Sequence, residues 1–539
     1  MAGLWTLIKL ILRRDRIKLP LWIVGFVLLL IAMVPLLQDV YGDPESLATM
    51  YATLNLNPAM LFMVGPMDEP TFGAFMMVET LLWWGLAIAF INTLLIVRHT
   101  RHNEEIGAQE LLLSGQVHRA AGLVAALIVA FGVNGAIALG IGVGMEAMDP
   151  AWGTGQSWLY AVAMGAFGFV WAAIAAVVVQ LVESGRSANG MLAGLIGVGF
   201  LLRGAGDFLG RTNADGIHEP AWLSALSPFG WLQATRPLTV SEWWPLVISG
   251  GVASVAIIVS LLLLARRDVG AGLLPSRAGK VRASRFLRTP LGLAWHLQKN
   301  VFTGWFIGLV VMVGTIALFV PQMGEIFDSA DGMRQTIEAI GGVGALIPSF
   351  MSAMISIACL MVFGYAIHAL GRLRSEESSG SLESVLATKL SRLKWIGQHL
   401  AIILGGSVVM LMVVGLLLSV MTNAFSDYRA DIGEYVLAAL SYAPVLLAFV
   451  GIYVLLFGVL PRLAGGVVWL YFGFVAFALW LGPIVQLEQW IMNLSLMEHL
   501  ATPPLESIDW LPLSLIAMGS LAGLLIGVAA FCKRDIHYS

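Results

Sequence analysis

EEIGAQELLLSGQVHR (residues 104–119) and EESSGSLESVLATKLSR (residues 376–392) repeat one polar pattern, about 270 residues apart. Each holds a Glu pair, then Gly-x-x-Glu, then an Arg nine positions beyond that last Glu. Each also follows a long apolar segment ending in arginines, Arg98 and Arg101 in the first copy, Arg372 and Arg374 in the second. The apolar segments that close the two halves end alike, in Arg266-Arg267-Asp268 and Lys533-Arg534-Asp535. The chain is therefore expected to be two fused copies of one membrane unit, each displaying a short charged helix that a two-fold-symmetric partner can grip.

Composition places those repeats in a membrane. Of the 539 residues 58% are hydrophobic and only 12% charged, with a mean hydropathy of +0.86, which excludes a soluble globule of this length. The apolar residues come in runs near 20 long, enough to cross about 30 Å of hydrocarbon as helix. Alternating strand patterns are absent, so helices rather than a closed barrel must satisfy the backbone. Twelve spans are expected, near 20–38, 73–97, 120–145, 157–182, 188–206 and 244–265, then 302–320, 347–370, 395–421, 436–460, 465–485 and 511–532. The fold class is all-α and polytopic, two fused six-helix repeats: 1–268 is the first half, 269–290 a basic cytoplasmic linker, 291–539 the second half. The first apolar run is too long for a cleavable signal peptide, and no small-residue cleavage site follows Pro35.

With residues 1–19 inside, the inward-facing segments carry 25 of the 30 Lys and Arg but 10 of the 33 Asp and Glu. That bias predicts two cytoplasmic termini in a bacterial plasma membrane. The net charge of −3 is a sum of two opposite faces and gives no reason to expect nucleic acid. The linker, with Arg277, Lys280, Arg282, Arg285 and Arg288 among glycines and Pro275, is suited to lie near anionic headgroups. LWTLIKLILRRDRIKLPLW at the start and LGLAWHLQKNVFTGWF after the linker read as amphipathic helices on the inner surface, each leading into a span.

Catalytic signatures are missing. The chain has no phosphate loop, its nine histidines are scattered, and Cys359 and Cys532 lack metal-like spacing. Leu113-Ser114-Gly115-Gln116 superficially matches an ATPase signature but lacks its second glycine. Inside the spans ionisable residues are rare, which makes Glu79, just before Trp83 and Trp84, a candidate for the substrate pathway; a place near the outer interface, where it simply meets water, is the alternative. On the outer side Arg203 and Asp207 are spaced to pair on one helical face. WLSALSPFGW (222–231) and MEHLATPPLESIDW (497–510) read as interfacial or re-entrant segments.

These features together resemble permeases of the type-2 ABC exporter superfamily, in particular the fused twelve-span exporters of polyketide antibiotics and drugs in actinobacteria. The resemblance rests on the doubled six-span unit, the Glu-Glu…Gly-x-x-Glu…Arg segment after the second span, Leu-Ser-Pro-Phe-Gly at 226–230 and the matching span ends. It implies that the segment after the second span is a coupling helix that docks on a separate ATPase. Glu104, Glu105, Gly107, Glu110 and Arg119 then form one docking helix, and Glu376, Glu377, Gly380, Glu383 and Arg392 the other. Two copies of an ABC ATPase are implied as partners, with ATP and Mg on them and no cofactor on this chain, besides membrane lipid and a hydrophobic small-molecule substrate. Glu at the start of such a helix and Arg at its end also suit the helix dipole. The alternatives are an ion-coupled secondary transporter, disfavoured by the lack of buried carboxylate chains, and a membrane-embedded enzyme or assembly factor.

Overall fold

The computed structural model describes residues 3–148, 152–213, 218–274, 282–317, 343–425, 429–481, 487–501, 503 and 506–535. Arg277, Lys280 and Pro275 of the expected linker and the expected span end at 318–320 lie outside these residues. The chain divides into two compact units, Met1–Gly279 and Lys280–Ser539.

Unit 1 runs through α1 (Leu4–Arg14), α2 (Lys18–Tyr41), α3 (Pro44–Leu56), α4 (Pro58–Val64), α5 (Phe72–His99), α6 (Arg101–Glu105), α7 (Ala108–Leu113), α8 (Ala121–Ala147), α9 (Thr154–Leu181), α10 (Gly185–Phe208), α11 (Pro228–Ala234) and α12 (Trp244–Arg266). Unit 2 contains α13 (Pro290–Ala317), α14 (Val343–Ser378), α15 (Ser381–Leu386), α16 (Arg392–Phe425), α17 (Ile432–Leu440), α18 (Ala443–Val459), α19 (Ala464–Leu481), α20 (Gln489–Met492) and α21 (Trp510–Lys533). Among the described residues eleven helices are long and apolar enough to cross a membrane. The expected eleventh span appears as the shorter apolar helix α19, which runs up to the undescribed residues 482–486. The only strands described are a two-residue antiparallel pair, Arg211–Thr212 with His218–Glu219, so the protein is an all-α polytopic membrane protein.

The two amphipathic segments differ. The first is a separate helix, α1, with Leu7, Ile8 and Ile11 buried and packed on α8. It ends at Asp15 because Pro20, in the first turn of α2, cannot extend a preceding helix. Asp15 then ties the turn down, bonding Arg98 Nη2 at 2.8 Å and His99 Nε2 at 2.6 Å at the end of α5. The second segment has no proline between Leu291 and Ala317 and runs without a break into its span as α13.

Helices that share a hydrocarbon solvent gain little from hydrophobicity against one another; close packing and polar contacts decide which ones pair. In unit 1, α9 is the hub, packed by α5, α8 and α12. Asn92 of α5 and Asn134 of α8 exchange amide bonds at 2.6 and 3.0 Å. Gly168 of α9 makes room for them, since a Cβ there lands on Asn134 Oδ1 and on Asn92 Nδ2. In both units a hydroxyl bridge joins the second span to the fourth, Thr80 Oγ1 to Tyr160 Oη at 2.8 Å and Ser356 Oγ to Tyr442 Oη at 2.6 Å. In unit 2, α18 and α21 come closest, with the α-carbons of Gly451, Gly458 and Gly527 set against the backbone of the facing helix.

The far end of unit 1 from the charged helices is closed by a wedge. Arg203 and Asp207 pair at 3.1 Å with both side chains fully buried, and Arg203 Nη2 also donates to the Met63 carbonyl. Ser227 caps α11 by accepting from Phe229 N–H and donates its own hydroxyl to the Gly199 carbonyl. This explains the Leu-Ser-Pro-Phe-Gly stretch: Phe229 is driven between Phe167, Trp171 and Phe200, and only glycine fits at 230 against Ser224. Nearby, burial pushes the Asp68 carboxyl above the usual range against the pull of Arg236, 3.4 Å away.

Candidate functional site

The two repeated polar segments adopt the same local fold. After the second span of unit 1 the helix kinks at Thr100, runs on as α6, and stops at Gly107, whose φ is 72°. A side chain at that φ is strained, so glycine is the residue that permits the turn. The six-residue α7 follows, its acidic Glu110 in the first turn. In unit 2 the second-span helix α14 runs unbroken to Ser378; the turn at Gly380, φ 74°, and the short helix α15 with Glu383 in its first turn then repeat the pattern. Glu110 and Glu383 are both exposed.

The positions correspond at a constant offset of 273: Gly107 with Gly380, Glu110 with Glu383, Arg119 with Arg392. The same offset aligns Glu104 with Glu377 and leaves the two Glu pairs one residue out of step, so that Glu105 matches Ser378 and Glu376 matches Asn103.

Glu104 and Glu377 do not face outward. Glu104, with 8% of its side chain exposed, accepts from Arg101 Nη1 at 2.7 Å and from Arg267 Nη2 at 2.5 Å. Glu377, fully buried, accepts from Arg374 Nη1 at 3.3 Å and from Arg534 at 2.5 and 2.9 Å. In each half, one arginine three residues before the Glu and one at the end of the sixth span thus grip the same carboxylate. The clamp binds the foot of the second span to the foot of the sixth. It is the duplicated Arg-x-x-Glu spacing, 101–104 and 374–377, that signals it in the sequence.

The remaining residues divide between structural and exposed places. Glu105 accepts from Gly185 N–H at 2.8 Å, capping the N-terminus of α10. Glu376 sits under Arg372 at 3.0 Å and Trp395 Nε1 at 3.3 Å. Arg392 donates to the carbonyls of Phe531, Cys532 and Arg534 at the C-terminus of α21, where a cation suits the helix dipole. Arg119 lines a small cleft with Glu104, Leu264 and Arg267 at the matching end of α12, its Nε and Nη2 buried and without a hydrogen-bond partner among the described residues. Of the ten candidates, then, Glu110 and Glu383 are the acidic side chains presented on the short helices themselves.

The exposed faces of the two copies differ. Ile106 and Leu111 are 55% and 79% exposed in unit 1; the matching positions in unit 2 are Ser379 and Ser384.

Glu79 is partly buried in α5 and has no ion pair or hydrogen bond among the described residues. Trp83, one turn on, shares its face and meets Phe200 of α10 at 6.2 Å. Trp84 is rotated by about 140° from Glu79 and packs edge-on against Phe26 of α2 at 4.9 Å. The structure therefore groups Glu79 with Trp83 and not with Trp84. Among the described residues no cluster of His, Cys, Asp or Glu is arranged to hold a metal.

Residues 287–532 match the family model described as the C-terminal domain of the multidrug efflux system permease Rv1217c. Across 99% of this chain and 96% of the relative, the sequence is 31% identical to the multidrug efflux system permease protein Rv1217c of Mycobacterium tuberculosis. The chain belongs to the Rv1217c multidrug efflux permease family. As a permease of this family it is a multi-pass membrane transporter component, and the clamps and short helices are features of a transport protein.

Proposed function

We propose that this permease is the transmembrane subunit of an ATP-driven ABC exporter. Two copies of a separate ABC ATPase dock on α7 and α15, bringing ATP and Mg, while this chain performs no covalent chemistry. The carrying observation is the repeated joint: a left-handed glycine, a short exposed helix with an acidic first turn, and a buried clamp directly behind it. A helix of six residues has little stability of its own in water; held at a glycine turn and backed by a clamp, it is a small rigid pad. Force applied to that pad passes through the Glu104 or Glu377 clamp to the second and sixth spans together, which suits rigid-body switching of span ends.

Glu105 and Arg119, like Glu376 and Arg392, support the pads from behind, and Glu110 and Glu383 meet the ATPase. The cargo is an amphipathic or hydrophobic compound such as a drug or antibiotic, in keeping with the name of the relative, and Glu79 with Trp83 lies on its path. The positive-inside charge bias supports cytoplasmic pads and termini in a bacterial plasma membrane.

The test is co-purification with a candidate ABC ATPase from the same cell and measurement of drug-stimulated ATP hydrolysis, for wild type and for Glu110→Arg combined with Glu383→Arg. Loss of stimulation in a folded double variant supports the reading. A chain that binds no ATPase, or a double variant that couples normally, overturns it and favours an ion-coupled transporter.

A further inference from the structure

In unit 1 the chain turns back after Arg267. Leu273 N–H donates to the Gln180 carbonyl at 3.2 Å and Leu274 N–H to the Leu181 carbonyl at 2.8 Å. This lays the Ala271 carbonyl between two guanidinium groups: it accepts from Arg101 Nη2 at 2.8 Å and from Arg267 Nη1 at 3.0 Å. The remaining nitrogens of both arginines are taken by the Val179 carbonyl, the Gln180 side chain and Glu104. Arg119 beside them is different. Its Nε and Nη2 are buried and reach no acceptor among the described residues. The side-chain amide of Gln109, which lines the same cleft, has no hydrogen-bond partner among them either.

The repeat shows that this cleft is particular to unit 1. At the offset of 273, Gln109 corresponds to Leu382, Arg119 to Arg392 and Gly122 to Trp395. In unit 2 all three are used up. Leu382 is buried in the core, and Arg392 donates to carbonyls at the end of α21. The Trp395 indole packs on Phe531 of α21 at 5.5 Å and donates to Glu376. Unit 1 has glycine where that indole stands. What results is a cavity of about 20 Å³ among Gln109, Arg119, Gly122, Leu264 and Arg267, the scale of one water molecule or halide ion and too small for a tetrahedral oxyanion. Around it three guanidinium groups, Arg101, Arg119 and Arg267, face one carboxylate, Glu104. The neighbouring carboxylates are engaged elsewhere, Asp15 by Arg98 and His99, Glu105 by Gly185 N–H. A buried guanidinium donor without an acceptor is costly, and an anion satisfies it through a charge-assisted bond.

We propose that this cleft of unit 1 binds a single chloride ion, held by Arg119 Nε and Nη2 and by the Gln109 amide. The ion bridges α7 to the start of α8 beside the foot of α12, the place where the Trp395 indole makes the corresponding joint in unit 2. The inference goes beyond the ATPase reading and does not depend on it.

Chloride NMR line broadening by the full chain in detergent tests it, at constant ionic strength in gluconate, with bromide and sulfate as competitors. The chain is expected to broaden the chloride resonance saturably; bromide reverses this and sulfate does not. Arg119→Gln lowers chloride affinity by about ten-fold, the scale of one charge-assisted donor, and Arg119→Lys restores part of it. Gly122→Ala lowers it as well while leaving every charge in place, because the methyl group stands 3.5 Å from the Gln109 amide oxygen and takes up the cleft. Arg266→Ala, which removes an exposed cation at the end of α12, leaves it unchanged. Unaltered elution and unfolding temperature in gluconate show that the variants are folded. Broadening that never saturates means that the cleft holds water, and overturns the proposal. So do sulfate competing as well as bromide, an affinity that Arg119→Gln and Gly122→Ala leave unchanged, or one that falls equally in Arg266→Ala.

Discussion

Glu104 and Arg267 are separated by 163 positions in the chain and meet at 2.5 Å, with 8% and 3% of their side chains exposed. Removing one member of such a buried pair leaves its partner charged and without compensation, which costs about 3–5 kcal/mol. Glu104→Gln is expected to destabilise unit 1 by about 3 kcal/mol. Glu377→Gln costs less, because Arg374 and Arg534 are 23% and 17% exposed and rehydrate. Thermal unfolding of the two variants in detergent checks the order, and equal losses contradict it.

Gly107 stands in open space, with nothing within 4 Å of a Cβ there, so its requirement is conformational; Gly380 shares the left-handed backbone, with φ 74°. Alanine at either position is expected to cost about 1 kcal/mol through left-handed strain, while Gly115→Ala, close to no left-handed turn, is near neutral. A drop in unfolding temperature for Gly115→Ala matching that of Gly107→Ala argues against this account.

Gly168→Ala and Asn92→Ala act on one contact. The alanine methyl falls on the Asn92–Asn134 amide pair, and interhelical hydrogen bonds in membranes are worth about 1 kcal/mol. Each single change is expected to cost at least that, and the double change less than their sum. Strict additivity in a double-mutant cycle rules the shared contact out.

The pads differ in chemistry, Leu111 in unit 1 against Ser384 in unit 2. If both receive the same ATPase, Leu111→Asp weakens its co-purification at least about ten-fold, the scale of losing one well-buried apolar anchor, and Ser384→Asp far less. Equal effects at the two positions mean that the apolar side chain is not an anchor.

Asp68 gives a pH signature. Burial raises its carboxyl in the folded protein, so the folded state holds its proton more tightly than the unfolded one. The associated stability is complete below the ordinary carboxylate range and is lost as pH rises through the raised folded value. Asp68→Asn, which keeps an acceptor for Thr239, is expected to flatten that loss, so that wild type and variant differ more at neutral than at acidic pH. A wild-type stability that rises over the same window contradicts the assignment.

Much of the architecture can be read from the chain because a membrane span announces itself locally. Apolar runs such as 120–145 and 244–265 need no knowledge of their neighbours, and α8 and α12 lie where those runs are. The doubling of the polar segment is equally local. What the Glu pairs do is not: Glu104 and Glu377 read as solvated charges until Arg267 and Arg534 arrive from more than 150 positions away. The doublets also mislead on register, since Glu105 and Glu376 fill unrelated niches beside the aligned residues. The break between α1 and α2 follows from Pro20, and its lack in α13 from the absence of a proline, both visible in the chain. The Thr80–Tyr160 and Ser356–Tyr442 bridges leave no sequence signal, because a hydroxyl in a span looks the same whether it bonds its own helix or another.

The return of the chain over Arg101 and Arg267 sets where this protein can be divided into separately expressed halves. A first polypeptide that stops at Arg267 ends the helix correctly but strips both guanidinium groups of the Ala271 oxygen. One that continues through Leu274 keeps its own seal. The segment between the repeats is therefore not all dispensable spacer: residues 269–274 are a working part of the half that precedes them.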